Sequence, residues 1–451
     1  MAKISTASHA HIRRHWDMLC NQIGRRYSGT DGEQRAADYI ENQFRILGLS
    51  DIHQHQFEFP NWTYSSCAVQ VGRGKRSRKV TTARPACFSR STTAKGVRGK
   101  LVYLQSGGEL DFKQNLRGKI GLLIGSLSLG NDEVKRRLLR SKLAGLLTVD
   151  DRIPYGWTIT AGWAPQWVDG FDIPSASIAY LDAVHLVRLI QNEPLDVHIT
   201  IKAKTFAATS QNVVGQITGS TRPNQVIVVS GHHDCVWGNV GADDNASGVV
   251  FTLELARLFA YRRPRRTIRF ISYGVEEKLS IGAYLYMRSL SQKQRKQCLL
   301  AINADAIATC AGTDVLNVTG TAGLEKLVRN CWRRHGHEAN ICRTVTPYSD
   351  HFPLNICGTP SIWLSRPSIM TDGYWTLHSV HDNLDNVSSS VISKTINTTA
   401  KFLDQVVTAP RLPFRPTIDP QVMAQVRAVA KQAYRHPWSP DKFRYPRGHS
   451  R

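Results

Sequence analysis

The chain has 451 residues, 41% of them hydrophobic, and a formal net charge of +23. This composition supports a sizeable core and excludes a disordered chain. No run approaches the ~20 apolar residues that cross a bilayer, so no membrane span is expected. The basic excess carries no zinc-finger or RNA-binding pattern, which leaves nucleic acid only a non-specific attraction through charge.

The first residues, "MAKISTASHAHIRRHWDMLC", hold charges and histidines where a secretory leader needs an apolar segment. Nine cysteines are scattered without C-x-x-C pairs, as in reduced thiols. Both features point to a cytoplasmic location. The segment from Glu33 to Leu49, "EQRAADYIENQFRILGL", has helical spacing and a C-cap signal at Gly48.

From about Asn61 to Lys204 the chain changes character, with short β-type runs "LVYL" (101–104), "IGLLIG" (120–125) and "ITIKA" (199–203) and few long helices. "RGKIGLLIG" followed by "EVKRRLLRSKLAGLLTV" reads as strand, helix, strand. The main sheet begins at "NVVGQITG" (212–219). "QVIVVSGHHD" (225–234) is a strand buried on both faces, because its apolar run is continuous. An amphipathic helix over 246–261 is expected next, then strands at 266–274, 299–305 and 359–365. Alternating strands and helices predict an α/β fold with a mostly parallel mixed sheet sandwiched by helices and an inserted β-rich unit. The expected division is 1–61 and 207–408 for the main domain, 62–206 for the insertion and 409–451 for a loose basic extension with one helix at about 420–434.

In an open α/β sheet, ligands bind beyond the carboxyl ends of the strands. His232 and Asp234 stand where the strand from 225 runs out, and Asp243 and Asp244 lie in the loop that follows. Glu276 and Glu277 come just after the next strand, Asp305 ends another, and His378 lies in a loop after the last. Successive strand ends each deliver a carboxylate or an imidazole. Such donors suit zinc at ~2.0–2.2 Å. A carboxylate shared by two ions ~3.5–4 Å apart would clamp a hydrolytic transition state. In the adjacent Glu-Glu pair, one carboxylate can bind metal while its neighbour serves as a base.

The order His-x-Asp, Gly-Ala-Asp-Asp-Asn-x-Ser-Gly, Glu-Glu, Asn-x-Asp, Ser-Asp-His and His-Ser-x-x-Asp resembles the co-catalytic zinc aminopeptidases of clan MH, metallopeptidase family 28. The resemblance covers about residues 10–60 and 210–408. It implies a zinc exopeptidase fold, two zinc ions per chain and peptide substrates. It also implies His232 and Asp305 on one zinc, Glu277 and His378 on the other, and Asp244 bridging both. Glu276 becomes the general base for a metal-bridged water, and Asp234 orients His232 from behind. Residues 62–206, with "GVRGKLVYL", "LRGKIGLLIG", "KLAGLLTVDD" and "IPSASIAYLDAVHL" in order, resemble a protease-associated domain, which limits the peptides that enter.

The chain departs from the family pattern at Leu279, where glycine is frequent, and at Ala283, where serine is usual; both bear on loop shape and the substrate pocket rather than on the metals. Other residues carry plainer readings. His233 is an alternative ligand to His232, although the His-x-Asp spacing favours the latter. Asp243 reads as a helix N-terminal residue and Cys235 as a small buried one. Asp350 and His351 shape the site, and Asp382 steadies the loop of His378. Tyr348 is either a phenol donor to the oxyanion or a core tyrosine. Three other activities stay open at this level: a carboxypeptidase or dipeptidase of the same fold, a non-catalytic receptor-like relative, and a single-zinc glutaminyl cyclase relative. The complete set of ligands and base argues against the last two.

Overall fold

Near the N-terminus Ser8 accepts the His11 N–H and so caps helix α1 (His9–Trp16). The computed structural model describes residues 4–125, 132–150, 156–159, 170–368 and 375–434. Helix α2 (Asp31–Ile46) buries Ala36, Ala37, Ile40 and Phe44, the stripe that its apolar spacing requires. It ends where Gly48 takes φ +70° and the Leu49 N–H returns to the Phe44 carbonyl, as a glycine-terminated helix does. The following strand β1 (Ser50–Val71) has no counterpart in the sequence expectations. Its first half, "DIHQHQFEFP", alternates polar with few strongly apolar residues and contains Pro60, which argues against a strand.

The described residues form two compact units, one of residues up to Phe59 and from Thr209 onward, the other of Pro60–Ala208. The chain passes between them within β1 and within a second long strand. In the Pro60–Ala208 unit, β2 (Val97–Tyr103), β3 (Ile120–Ile124), β4 (Gly145–Val149) and β5 (Ser175–Ser177) lie side by side in parallel. Helices α3 (Asp132–Ser141) and α4 (Tyr180–Asn192) belong to the same unit. Ile120, Leu122 and Leu147 face one apolar cluster and Leu123, Leu138 and Leu146 another, so the parallel strands are buried on both faces. The strand–helix–strand expected over 117–149 is β3–α3–β4. Strand β6 (Asp196–Ile217) is continuous where the sequence suggested two separate runs.

The other unit adds β7 (Arg222–His232), β8 (Arg266–Tyr273), β9 (Cys298–Ala304), β10 (Val315–Thr319), β11 (Asn340–Cys342) and β12 (Ser361–Ser365). Its helices are α5 (Ala246–Phe259), α6 (Ile281–Ser289), α7 (Ala322–Arg334), α8 (Ser389–Thr408) and α9 (Pro420–Tyr434). The sheet order is β11-β10-β12-β9-β7-β8-β6. β12, β9, β7 and β8 are consecutive parallel neighbours, whereas β10 and β6 pair antiparallel to β12 and β8. The run "VIVV" explains the layering. Ile227 and Val229 pack on one face with residues of α1, α2, α5 and α8, and Val226 and Val228 pack on the other with α6. The result is the mixed α/β sandwich that the alternation predicted.

One expectation changes. Helix α5 is not amphipathic: every residue except Arg257 is buried, because the sheet covers one side while α1 and α8 cover the others. Its Glu254 is neutralised by Arg257 Nε at 2.9 Å and also accepts the Ser8 N–H at 3.0 Å. In the C-terminal segment α9 spans the expected range and buries Val426, Ala430, Ala433 and Tyr434. The rest of the basic tail lies outside the described residues. Among the described residues no helix is long and apolar enough to cross a membrane.

Candidate metal centre

The four parallel strands end on the same edge. His232 is the last residue of β7, in register with Tyr273 at the end of β8. Glu276 and Glu277 follow β8 in a tight turn, Asp305 directly follows β9, and His378 comes from the loop after β12. The loop after β7 returns into α5 at very close range. A side chain at Gly231 would stand 2.7 Å from the Gly248 backbone, and one at Gly248 would stand 2.4 Å from the Ala304 carbonyl. Only glycine lets the start of the helix abut both strand ends. Asn245 caps the helix by accepting the Gly248 N–H at 2.8 Å and donates to the Ala304 carbonyl at 2.9 Å. Asp244 is thereby held beside Asp305.

The donors form two clusters, His232 with Glu276 and Asp305, and Asp244 with Glu277 and His378, each with ligand atoms within 4.8 Å of one another. Asp244 spans both. Its Oδ1 stands 3.2 Å from His232 Nε2 and its Oδ2 stands 3.3 Å from His378 Nε2. His232 Nε2 is also 3.5 Å from Asp305 and 3.6 Å from Glu276, and His378 Nε2 is 3.0 Å from Glu277. Two ligands at ~2.0–2.2 Å from one tetrahedral ion stand ~3.3–3.6 Å apart, so most of these separations suit atoms that share an ion. Among the described residues His232 Nε2 and Glu277 Oε1 are buried without a hydrogen-bond partner, as ligand atoms facing a cation would be. Imidazole plus carboxylate is a zinc donor set, and the residues fit the metal that the sequence implied.

The charge balance gives the same answer. Burial alone would lower the His232 pKa, but Asp305, Glu276, Asp234 and Asp244 outweigh it and raise it well above the ordinary value. Burial, with Asp305, Asp350 and Glu277 adding to it, pushes Glu276 well up against the opposing pull of His232. Burial, reinforced by Asp244 and opposed by His378, raises Glu277 to about 7. Several buried carboxylates around two imidazoles need positive charge, from protons or from metal ions.

Around the clusters, hydrogen bonds fix each ligand. His232 Nδ1 faces the Asp234 carbonyl at 3.1 Å and its carboxylate at 3.4 Å. The Asp234 carboxylate accepts the Glu276 N–H at 3.0 Å and the Ser28 hydroxyl at 2.8 Å, so it orients the Glu-Glu turn as well as the imidazole. Lys278 Nζ donates to Ser28 at 2.9 Å and lies 4.2 Å over the Tyr27 ring. Ser349 donates to Asp305 at 2.6 Å and is itself held by Asn303, which accepts from Ser230. Arg26 is fully buried. Its guanidinium donates to the carbonyls of Leu19, Gly24, His233, Val240 and Gly241 and joins the N-terminal segment to the ligand loop.

Other expectations are sorted by the same geometry. His233 turns to Ser272 at 3.1 Å and stands outside both clusters. Asp243 is not in the first turn of the helix but two residues before its cap, Asn245; its carboxylate accepts the Ala308 N–H at 2.7 Å. Asp382 accepts the N–H groups of Asp243 and Asp244 at 2.7 and 3.1 Å, tying the loop of His378 to that of Asp244. Asp350 and His351 are buried, and His351 stacks on Trp363 at 5.1 Å. Cys235 is buried. Tyr348 is 47% exposed, which removes its reading as a core residue. Asn303 and Ser349 sat within quoted motifs without an assigned role. Ser28, Glu33 and Lys278 carried no local signal, since Ser28 meets Asp234 across 206 positions.

Glu33 supports a prediction about pH. It is buried, accepts the Gly29 N–H and the Ser210 hydroxyl, and is raised from 4.5 to about 8 by burial and then by Asp234. The folded state therefore binds more protons here than the unfolded chain between pH 4.5 and about 8. Stability from this group falls as pH rises through that window. In thermal melts, the Tm of Glu33→Gln minus that of the parent is expected to increase from pH 5 to pH 9, by several degrees if roughly 1–2 kcal/mol is recovered. A difference independent of pH would contradict the assignment.

The geometry can be set beside known proteins. The model of peptidase family M28 matches residues 212–403. Aminopeptidase YwaD of Bacillus subtilis is 26% identical over 389 residues, which is 82% of this chain and 78% of that protein. Leucine aminopeptidase 2 of Trichophyton rubrum is 24% identical over 66% of this chain, and the chain spans 59% of its length. Among solved structures, a zinc aminopeptidase from Bacillus subtilis superposes with a TM-score of 0.74 at 21% identity, covering 93% of this chain and 100% of that one. The aminopeptidase from Aneurinibacillus sp. strain AM-1 gives 0.72 at 22% identity, covering 92% and 97%. At these identities the structures speak for the fold.

Proposed function

We propose that this chain, whose residues 212–403 match the model of peptidase family M28, is a dinuclear zinc exopeptidase that removes N-terminal residues from peptides. One observation carries this reading: Asp244 directs its two carboxylate oxygens to the histidines of two separate ligand clusters. His232 and Asp305 would hold one ion and Glu277 and His378 the other, with Asp244 shared between them. Bound zinc supplies Lewis-acid polarisation of the scissile carbonyl and acidifies water. Glu276, fixed by the Ser280 hydroxyl at 3.0 Å and by its own N–H on Asp234, takes the proton of the attacking water and passes it to the leaving amine. Asp234 holds both His232 and the Glu-Glu turn. Tyr348, exposed beside Ser349, offers a phenol to the developing oxyanion. We assign residues 62–206 to a protease-associated-like insertion, on their order of motifs and their parallel strands β2–β5.

The carboxylate-rich site favours a free α-amine, because a carboxypeptidase needs cationic donors for a terminal carboxylate. The curated relatives named above are aminopeptidases. The test uses a panel of aminoacyl chromogenic substrates beside N-blocked dipeptides. Turnover of the free-amine substrates is expected. Cleavage of the blocked dipeptides alone would make the chain a carboxypeptidase or dipeptidase. No turnover of either, with metal bound, would favour a receptor-like role.

A further inference from the structure

The turn that presents Glu276 is built from backbone that L-residues avoid. Val275, Leu279 and Ser280 have φ of +58°, +72° and +50°, the left-handed region where a Cβ is disfavoured, most of all a branched one. The turn closes through Ser280 N–H to the Glu276 carbonyl at 2.8 Å and Ile281 N–H to the Val275 carbonyl at 3.1 Å. In this conformation the Ser280 hydroxyl donates to Glu276 Oε1 at 3.0 Å. Residues held in such a conformation persist where the surroundings over-determine it.

Part of those surroundings comes from the far end of the chain. Tyr434, the last residue of α9, is 3% exposed. Its hydroxyl donates toward the Leu279 carbonyl at 3.4 Å. Its ring lies 5.0 Å from Tyr284 in α6 and stacks on Phe352 at 6.4 Å and 15°. Tyr284 belongs to the first turn of α6, with its N–H on the Ser280 carbonyl at 2.9 Å, and Phe352 begins two residues after Asp350. Tyr434 thus wedges between the two segments that lead away from Glu276 and Asp350. Burial, then Tyr284, Glu276 and Asp350, raises its pKa well above the ordinary value, so the phenol stays a donor.

We propose that Tyr434 is a positioning residue, a buttress from the C-terminal helix that holds the left-handed Val275–Ser280 turn and so aims Glu276. It lies outside the family-matched residues 212–403. Its consequence for turnover rests on the peptidase reading; its consequence for the turn does not. The experiment compares hydrogen exchange and kinetics of Tyr434→Ala and Tyr434→Leu with the parent, in the full chain. Amides of 275–282 are expected to exchange about tenfold faster while those of β7 and β8 keep their rates. For aminoacyl substrates kcat is expected to fall about tenfold with KM within about twofold, the pattern of a misplaced base. Tyr434→Phe, which keeps the wedge, is expected to retain most of both properties. Unchanged exchange at 275–282 would overturn the proposal. So would acceleration of β7 and β8 alongside it, which would make Tyr434 a general support of the fold, or a loosened turn with parental kcat. A loosened turn in a chain whose parent hydrolyses no peptide would refute the peptidase reading and leave the buttress standing.

Discussion

Chelation is expected to abolish peptide hydrolysis, and zinc to restore it. The reason lies in the crowding of charge at the strand ends. Asp244, Glu276, Asp305 and Asp350 are all buried and, with Glu277, surround only two imidazoles. Without cations these carboxylates must take up protons or repel one another. Two divalent ions would let the separations of 3.0 to 3.5 Å between the histidines and Asp244, Asp305 and Glu277 be distances between ligands of a shared ion. Metal analysis of the active protein is expected to give close to two zincs per chain, and chelation should also lower the Tm, since an ion that binds only the folded state stabilises it. Full activity in a zinc-free sample would end the metallopeptidase reading. A stoichiometry near one would favour the single-zinc alternative over the dinuclear one.

The second large effect separates Glu276 from Glu277. The structure places Glu276 Oε2 within 3.6 Å of His232 Nε2, so distance alone leaves it eligible as a ligand. Its hydrogen bond from Ser280 and the pKa raised by burial fit a proton carrier instead. Glu276→Gln keeps the shape and removes the carrier. It is expected to lower kcat by ~10²–10⁴-fold with zinc content nearly unchanged. Glu277→Gln weakens a ligand to the ion shared with His378 and is expected to lose metal. Metal analysis beside steady-state kinetics on both variants decides the matter. An exchange of the two outcomes would reverse the roles, and near-parental kcat in Glu276→Gln would move the base to Asp234 or Asp350.

The sheet and the candidate ligands at its strand ends were legible because each rests on local chemistry. A continuous β-branched run such as "VIVV" suits a strand covered on both sides, and the rule that ligands gather at carboxyl ends converts four such strands into a candidate site. Element ends fell close to the expected residues for α2, β8, β9 and α9. What escaped depends on partners far away in sequence. Strand β1 is too polar to announce itself, and α5 looked amphipathic because the helices that cover its outer side lie hundreds of residues away. Asp243 reads as a helix N-terminal residue, but its carboxylate serves the Ala308 N–H, 65 positions away. Ser28 and Lys278 look like ordinary surface residues of a loop and a turn. Their role beside Asp234 follows only from the fold, which brings the start of the chain to the ends of β7 and β8.

Arg26 shows how far the working unit extends beyond the segment that resembles other peptidases. A guanidinium spread over five main-chain oxygens, three of them at His233, Val240 and Gly241, makes the N-terminal stretch a splint for the ligand loop rather than an appendage. Residues 212–403 are therefore not an excisable catalytic module. Removal of the residues up to Arg26 would leave every proposed zinc ligand in the chain and still take away the three hydrogen bonds that fasten the loop carrying Asp244.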